Sequence, residues 1–210
     1  MKLTSALLLS LCVSGGSLLY LEHVSAKDAH ALTARHSADM APAMTIALQP
    51  LAQAKPSAAV LALDSQGLRV VNASTGATRA IAFGTSEANV VSVLTNLQGK
   101  PRNRGVNRKC GAGPLDFARW SDGLSLQFNQ GRFAGWKVDG RSQGANKLTT
   151  SNGVSTGSTR TQLNKAYTVK VSQSSLGTEF SAGSLGGLLS GSKPTDRVTS
   201  LWSGTTCFFR

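Results

Sequence analysis

Residues 115–138 read LDFARW-SDG-LSLQF-NQG-RFAGWKV, which gives three strand candidates (115–120, 124–128 and 132–138) divided by two turn signals. Asp-Gly and Asn-x-Gly sequences between apolar runs are typical of β-hairpin turns. In the middle run Leu124, Leu126 and Phe128 fall on one face, as expected of a strand with one buried side. The stretch therefore predicts an antiparallel sheet.

The region before this stretch adds more strands and the first helix. Short apolar runs at 60–64, 68–72 and 78–83, with turns at 65–67 and 74–76, predict a β-meander. Thr85 and Ser86 offer a hydroxyl cap, Glu87 lies in the first turn, and apolar residues follow at helical spacing up to a stop at residues 99–101. A basic, turn-rich loop is expected from there to Cys110.

The region after it repeats the pattern. Residues 157–167 match residues 84–94 at an offset of 73, with a glycine, hydroxyl caps and apolar positions in common. Strands are again expected at 168–172, at 178–180 and at 197–209. The predicted fold is α+β, an antiparallel sheet in two related halves (58–140 and 148–210), each with one helix packed on it. Generic helix-cap chemistry is the alternative explanation of the match.

The first 57 residues have a different composition. Lys2, an apolar run and the small residues before position 27 predict a signal peptide over residues 1–26, with a second possible cut after Ala31. An uncleaved anchor over 3–21 is the alternative. Residues 27–57, rich in Ala and Pro, are expected to form a disordered tail or linker, or one short helix near 43–53. The chain is therefore expected to be secreted or periplasmic, with no stable membrane span after cleavage.

Cysteine usage agrees with export. Once Cys12 leaves with the signal peptide, Cys110 and Cys207 remain, and an even pair in an exported chain most simply forms one disulfide. Two reduced, buried thiols are the alternative.

The charge balance indicates an anionic partner. There are 22 basic and 10 acidic residues, a net charge of +12, and loss of Lys2 with Glu22 leaves that charge unchanged. An exported basic protein meets anionic polymers, lipid headgroups or acidic proteins of the envelope. Five cations occupy ten residues: Lys100, Arg102, Arg104, Arg108 and Lys109. They are the candidate binding residues, with a solvated loop as the alternative. No aromatic residue lies among them to stack on a base, which disfavours nucleic acid.

Catalytic chemistry has little basis in the sequence. The three histidines are His23, His30 and His36, all before the predicted domain. Ser–His–Asp and Cys–His catalysis and most zinc sites are thereby excluded from it, so we assign no catalytic residue, metal or cofactor. Asp116 and Glu179 are the two carboxylates on apparent strands, and a hydrolase would need such a pair in one groove.

Two other features have ordinary structural interpretations. The glycine-rich segment around 177–191 departs from the phosphate-loop spacing and is expected to form turns or a flexible lid. Seven aromatic residues are expected mostly in the core, with one or two available to line a groove: Trp120, Trp136, Trp202, Phe117, Phe128, Phe133 and Phe180.

Gly-Ser-Thr-Arg-x-x-Leu-x-x-Ala-Tyr at 157–167, followed by Asp-Arg-Val-Thr-Ser-Leu at 196–201, resembles the tandem-repeat fold of the β-lactamase inhibitor proteins. It also resembles the related small lipoprotein of the outer-membrane barrel-assembly machine. The resemblance implies a helix that starts at the glycine turn and packs on an antiparallel sheet. This chain departs from those proteins in having only 12 aromatic residues and a cysteine pair that would link the two halves. Its Cys-Gly-x-Gly-Pro-Leu segment and Cys-x-Phe-Arg end are closer to bacterial secreted proteins without an assigned activity.

The sequence thus predicts an exported, non-enzymatic module that binds an envelope protein or an anionic envelope component. The sheet face and the segment from Lys100 to Lys109 are the expected contacts. An envelope hydrolase that uses a carboxylate pair is the alternative.

Overall fold

The computed structural model describes residues 59–208. The predicted signal peptide, the tail and the short helix near 43–53 lie outside this range. The strands are β1 Ala59–Asp64, β2 Gly67–Asn72, β3 Thr78–Ala82, β4 Asn103–Asn107, β5 Leu115–Arg119, β6 Leu124–Asn129, β7 Arg132–Asp139, β8 Thr149–Thr150, β9 Lys170–Ser174, β10 Gly177–Ala182, β11 Leu185–Leu189 and β12 Val198–Gly204. The helices are α1 Glu87–Gln98 and α2 Arg160–Ala166, with a 3-10 turn at Ala145–Lys147.

The larger sheet has eight strands in the order β4-β5-β6-β7-β12-β11-β10-β9, and every neighbouring pair is antiparallel. It consists of two four-stranded meanders, β4–β7 and β9–β12, each preceded along the chain by one helix. The meanders meet where β7 pairs with β12. The predicted α+β class, with an antiparallel sheet in two halves and one helix for each, is confirmed.

Local sequence explains the central hairpin between β6 and β7. Gln130 and Gly131 have φ values of 50° and 70°, so both central residues of the loop are left-handed. A two-residue loop of that kind matches the right-handed twist of the flanking strands. The Asn-Gln-Gly sequence therefore forms a tight turn at the predicted position.

The two halves also share the backbone hydrogen bonds around the start of each helix. The helices begin at Glu87 and Arg160, 73 residues apart (160 minus 87), which is the offset seen in the sequence. In the first half the bonds are Gly84 N to Phe133 O, Phe133 N to Thr85 O and Glu87 N to Gly131 O. In the second half they are Gly157 N to Val198 O, Val198 N to Ser158 O and Arg160 N to Asp196 O. Each helix start is therefore anchored to the beginning of the last strand of its own meander.

The helix caps differ between the halves. Thr159 accepts a hydrogen bond from Gln162 N, and the Gln162 side chain accepts one from Thr159 N, which is a complete capping box. At α1 the expected hydroxyl cap is wrong, because the N-cap residue Ser86 makes no side-chain cap bond. Thr85 Oγ1 instead donates to Ala82 O at 2.7 Å and so supports the preceding turn.

A second sheet, which the sequence did not predict, has the order β3-β2-β1-β8. The expected meander forms β1 to β3, and β8 joins β1 as a parallel strand of two residues. Leu63, Leu68 and Ile81 of this sheet are buried in one cluster with the apolar face of the larger sheet, α1 and Leu163 of α2. The small sheet therefore covers one face of the larger sheet.

The glycine-rich segment forms a turn at Gly183, between β10 and β11, as one of the two expectations had it, but it forms no lid. Gly186 and Gly187 lie in β11, inside the larger sheet. A Cβ added to Gly186 would lie 2.4 Å from Trp202 Nε1, and one added to Gly187 would lie 2.3 Å from Phe180 Cε1. The glycines are needed because an aromatic ring packs directly on the backbone at each position.

The turn between β1 and β2 provides a test of pH dependence. Asp64 accepts hydrogen bonds from Arg69 Nε at 2.6 Å and Gln66 N at 2.9 Å. Partial burial raises the pKa of Asp64, but the bonds from Arg69 and Gln66 and the Arg69 charge outweigh it and hold the pKa below 3.8. A carboxyl group whose pKa is lower in the folded state than in the unfolded state stabilises the fold at pH values above the unfolded-state pKa. This stabilisation is lost as the pH falls through the folded-state pKa.

We therefore expect Asp64→Asn to lower the free energy of unfolding at pH 7 by about 0.5–1 kcal/mol, since Arg69 is partly exposed. The loss should shrink as the pH falls from about 5 to about 2, because the wild-type carboxylate protonates there. Urea unfolding across that range measures the difference. Parallel profiles for the two proteins would contradict the assignment.

Candidate functional site

The face of the larger sheet that points away from the small sheet, here called the outer face, carries a row of polar and aromatic side chains. Arg119, Ser125, Lys137 and Trp202 lie directly opposite one another on β5, β6, β7 and β12. The intervening residues of β6 and β7, such as Leu126 and Trp136, are buried on the other face. Strand alternation thus separates a packed core from a polar surface in the middle of the sheet.

Residues 205–208, here called the strap, cross the outer face after β12. Thr205 N donates to Ala134 O at 2.8 Å, and a Cβ added to Gly135 would lie 2.2 Å from Thr205 O. The Phe208 ring lies 4.5 Å from the Trp202 ring, between centroids. Close contact with the sheet backbone is therefore possible because position 135 has no side chain.

The predicted disulfide holds the strap in place. Cys207 is bonded to Cys110, with a Cα–Cα distance of 5.4 Å. Cys110 lies between β4 and β5 and Cys207 follows β12, so the bond links the first half to the second. This pairing agrees with the sequence prediction, including its crossing between the halves.

A cavity of about 380 Å³ lies on the outer face beside the strap. Strands β5, β6 and β7 form its floor, and Cys207 forms part of its wall. The volume is within the range of small-molecule sites, at its lower end. Its polar lining includes Arg119, Ser125, Gln127, Lys137 and Asp139.

Gln127 is the most unusual group of this cavity. The residue is 8% exposed, and its Nε2 donates to Ser125 Oγ at 3.1 Å. Its Oε1 is buried and has no hydrogen-bond partner among residues 59–208. A buried acceptor without a donor costs free energy, and such groups in native proteins usually have a specific cause.

The charged groups make the cavity positive. Asp139 accepts hydrogen bonds from Arg141 N, Nε and Nη2 at 3.1–3.2 Å, and this pairing is the main cause of its lowered pKa. Lys137 and Arg119 form no ion pair with a carboxylate in the described part of the chain. Burial lowers the pKa of Lys137, the charge of Asp139 raises it, and Arg119 and Arg141 lower it further.

Both cations instead rest on aromatic rings. Arg119 Cζ lies 4.8 Å from the centroid of Phe117, and Lys137 Nζ lies 4.7 Å from that of Phe208. Contacts of this kind contribute only about 0.5–1 kcal/mol at exposed sites. The two charged groups are therefore held near the cavity without being neutralised.

The basic segment proposed from the sequence is not a loop. Its centre is the edge strand β4, paired with β5. Arg104 forms an ion pair with Glu87 at the start of α1, whereas Asn103, Gly105 and Asn107 alternate with it on the outer face. Neighbouring side chains of a strand point to opposite faces, whereas a flexible loop could turn them toward one ligand.

The remaining four cations are exposed at the two ends of β4. Lys100 and Arg102 precede the strand, and Arg108 and Lys109 follow it next to Cys110. Five strand residues span about 16 Å. The structure therefore gives two small basic groups beside the outer face instead of one cluster of five.

The two strand carboxylates do not share a groove. Asp116 lies on β5 and Glu179 on β10, which are five positions apart in the larger sheet. At about 4.8 Å per strand this corresponds to roughly 24 Å along the sheet. A glycosidase pair needs its carboxyl groups about 5–10 Å apart.

Five of the seven aromatic residues expected mostly in the core are buried: Trp120, Trp136, Phe128, Phe133 and Phe180. Phe117 and Trp202 lie partly exposed on the outer face. Sequence reasoning missed Gln127, Lys137 and Arg119 as a group. The alternation of Ser125 and Gln127 with Leu124, Leu126 and Phe128 was a signal that β6 has a polar face.

No family model, curated protein or solved structure matches this chain. The resemblance to the tandem-repeat inhibitor fold therefore stays a prediction. In the part of the chain that the structure describes, there is no group of three or more His, Cys, Asp or Glu side chains placed to hold a metal ion. None of the described helices has the length and apolar character needed to cross a bilayer.

Proposed function

We propose that the chain is an exported, non-enzymatic binding module whose outer face and flanking cations bind an anionic component of the cell envelope. The observation that carries this proposal is the cation-lined cavity of the outer face, in which neither Lys137 nor Arg119 is paired with a carboxylate of residues 59–208. The disulfide is compatible with an oxidising compartment. The net charge of +12 favours the same class of partner.

The distribution of apolar surface favours an anionic ligand over a protein partner. Val60 and Val106 are the large apolar residues with exposed side chains in the described range, at 51% and 46%. They lie on different sheets and form no common patch. Protein-binding surfaces usually present a contiguous apolar area. A hydrolase has less support, because the candidate carboxylates lie roughly 24 Å apart along the sheet.

The test is retention of the purified full-length chain, with the disulfide intact, on two anionic probes. Vesicles of phosphatidylglycerol represent a lipid surface and polygalacturonate represents an acidic polymer, with phosphatidylcholine and dextran as neutral controls. We expect binding to one anionic probe at about 0.1 M salt and loss at about 0.5 M, since the screening length is roughly halved. Equal retention on the neutral probes, or on none, would contradict the proposal.

A charge variant locates the contact. Arg108→Gln combined with Lys109→Gln is expected to weaken binding about 10–30-fold, because each cation near an anionic surface contributes about 1 kcal/mol. The matched control is Arg79→Gln with Lys165→Gln, which removes two exposed cations from β3 and α2. If both double variants lose the same affinity, the contact depends on net charge and the outer face has no special role.

A further inference from the structure

We propose that the cavity between β5–β7 and the strap binds a hydroxy acid, a small molecule or polymer unit with a carboxylate and a neighbouring hydroxyl group. This proposal rests on the proposed function, since it names the chemical unit of the anionic ligand that the outer face recognises. The argument uses the unpartnered acceptor of Gln127, the two cations beside it and the enclosure by the strap.

Gln127 Oε1 requires a donor. The Gln127 amide lies between Phe117 and Gly135 in the sheet, and the strap packs over Gly135. Its Nε2 is bonded to Ser125 Oγ, and its oxygen has no partner among residues 59–208. A carboxylate alone carries no proton for this oxygen. A ligand hydroxyl does, and if the amide turns its oxygen toward the cavity on binding, that hydroxyl would remove the cost of the buried, unpaired acceptor.

Arg119 and Lys137 supply the complementary charge. Both lie directly opposite Ser125 on the neighbouring strands, so their Cα atoms are separated by two strand spacings, or about 10 Å. Long side chains from either side can converge over Ser125 on one carboxylate. Moving from an aromatic ring to an anion costs each of them little, since the ring contacts are weak.

A phosphate fits this arrangement less well. Inorganic phosphate near neutral pH is a mixture of the monoanion and the dianion, and although both keep a P–OH donor, its charge and its donor lie on one compact group and cannot be placed independently. A carboxylate has one charge, and the donor comes from a separate group on the adjacent carbon. The volume of about 380 Å³ suits a ligand of monosaccharide size.

The experiment titrates the full-length, disulfide-bonded chain with four small probes and follows the Gln127 side-chain amide by NMR. The probes are D-galacturonate, acetate, glucose and inorganic phosphate. We expect galacturonate to shift the Gln127 signals and to bind at least tenfold more tightly than acetate or glucose, because of these three compounds it alone supplies both charge and donor. Phosphate binding as tight as that of galacturonate, or no galacturonate binding, would overturn the proposal.

Gln127→Met is the decisive variant, because it keeps the side-chain length and removes the acceptor. We expect it to bind galacturonate at least tenfold more weakly while being no less stable to urea than the wild type. Gln173→Met, at an exposed site on the edge strand β9, is the matched control and should bind normally. A Gln127→Met protein that is destabilised but binds normally would mean that the amide is only structural.

Competition and retention measurements distinguish the source of the ligand from the validity of the proposed function. If galacturonate binds and competes with polygalacturonate, the cavity recognises a unit of the polymer; if it binds without competing, the cavity recognises the free acid. Retention on polygalacturonate, together with a galacturonate affinity that Gln127→Met leaves unchanged, would overturn the cavity proposal and leave the proposed function standing. Galacturonate binding without retention on any anionic surface would overturn the proposed function alone.

Discussion

Trp136→Ala is expected to lower the free energy of unfolding by about 3–5 kcal/mol, measured by urea denaturation at neutral pH. Trp136 is 0% exposed and lies at the centre of β7, where β6 and β12 flank it. Its Nε1 donates to Asp64 O at 2.8 Å, at the turn between β1 and β2. One side chain thus fills the core and bonds the small sheet to the large one.

Two variants separate these contributions. Trp136→Phe keeps much of the apolar volume but leaves Asp64 O without its donor, so we expect a smaller loss, of about 1–3 kcal/mol. Val60→Ala truncates an apolar residue that is 51% exposed and should cost less than about 1 kcal/mol. A loss below about 1 kcal/mol for Trp136→Ala would mean that the two sheets do not pack through this residue.

Reduction of the Cys110–Cys207 disulfide is expected to cost about 4–5 kcal/mol of unfolding free energy. The cysteines are 97 residues apart in sequence, and the loop-entropy model gives about this value for a loop of that length. The prediction compares urea unfolding of the oxidised chain with that of the reduced chain, at the same pH and temperature. The stabilisation acts mainly by restricting the unfolded chain.

The double variant Cys110→Ala with Cys207→Ala serves as the control for the reductant. It should lie close to the reduced wild type and should not respond to dithiothreitol. Because Cys207 also lines the cavity, the galacturonate affinity of this variant should fall below that of the oxidised wild type. An equal stability of oxidised and reduced wild-type protein would contradict the structural role of the bond.

Features that depend on local sequence could be predicted. The hairpins after β5 and β6 follow from turn residues, and the helix at Glu87 follows from apolar periodicity. The second helix, 73 residues later, follows from its periodicity and its cap at Thr159. The disulfide could be predicted from cysteine count, because only two candidates remain if residues 1–26 are the predicted signal peptide.

Features that depend on tertiary pairing could not be predicted from the sequence. The strand β8 has two residues and is a strand only because β1 lies beside it. The basic segment forms β4 because it completes the edge of the larger sheet, although its sequence is rich in turn formers. The cavity was missed because Arg119, Gln127 and Lys137 come from three strands, and their spacing in the sequence does not indicate that they lie close together.

The pairing of β7 with β12 makes the two halves inseparable. Each meander, cut from the other, would expose a long inner strand with a full row of unpaired backbone groups and an apolar side chain such as Trp136 or Leu201. Free strand edges of that kind recruit other chains. Each half is thus in effect the subunit of an obligate dimer whose partner is encoded in the same polypeptide. Expressed alone, either half is expected to aggregate through its free strand edge and not to fold as an independent module.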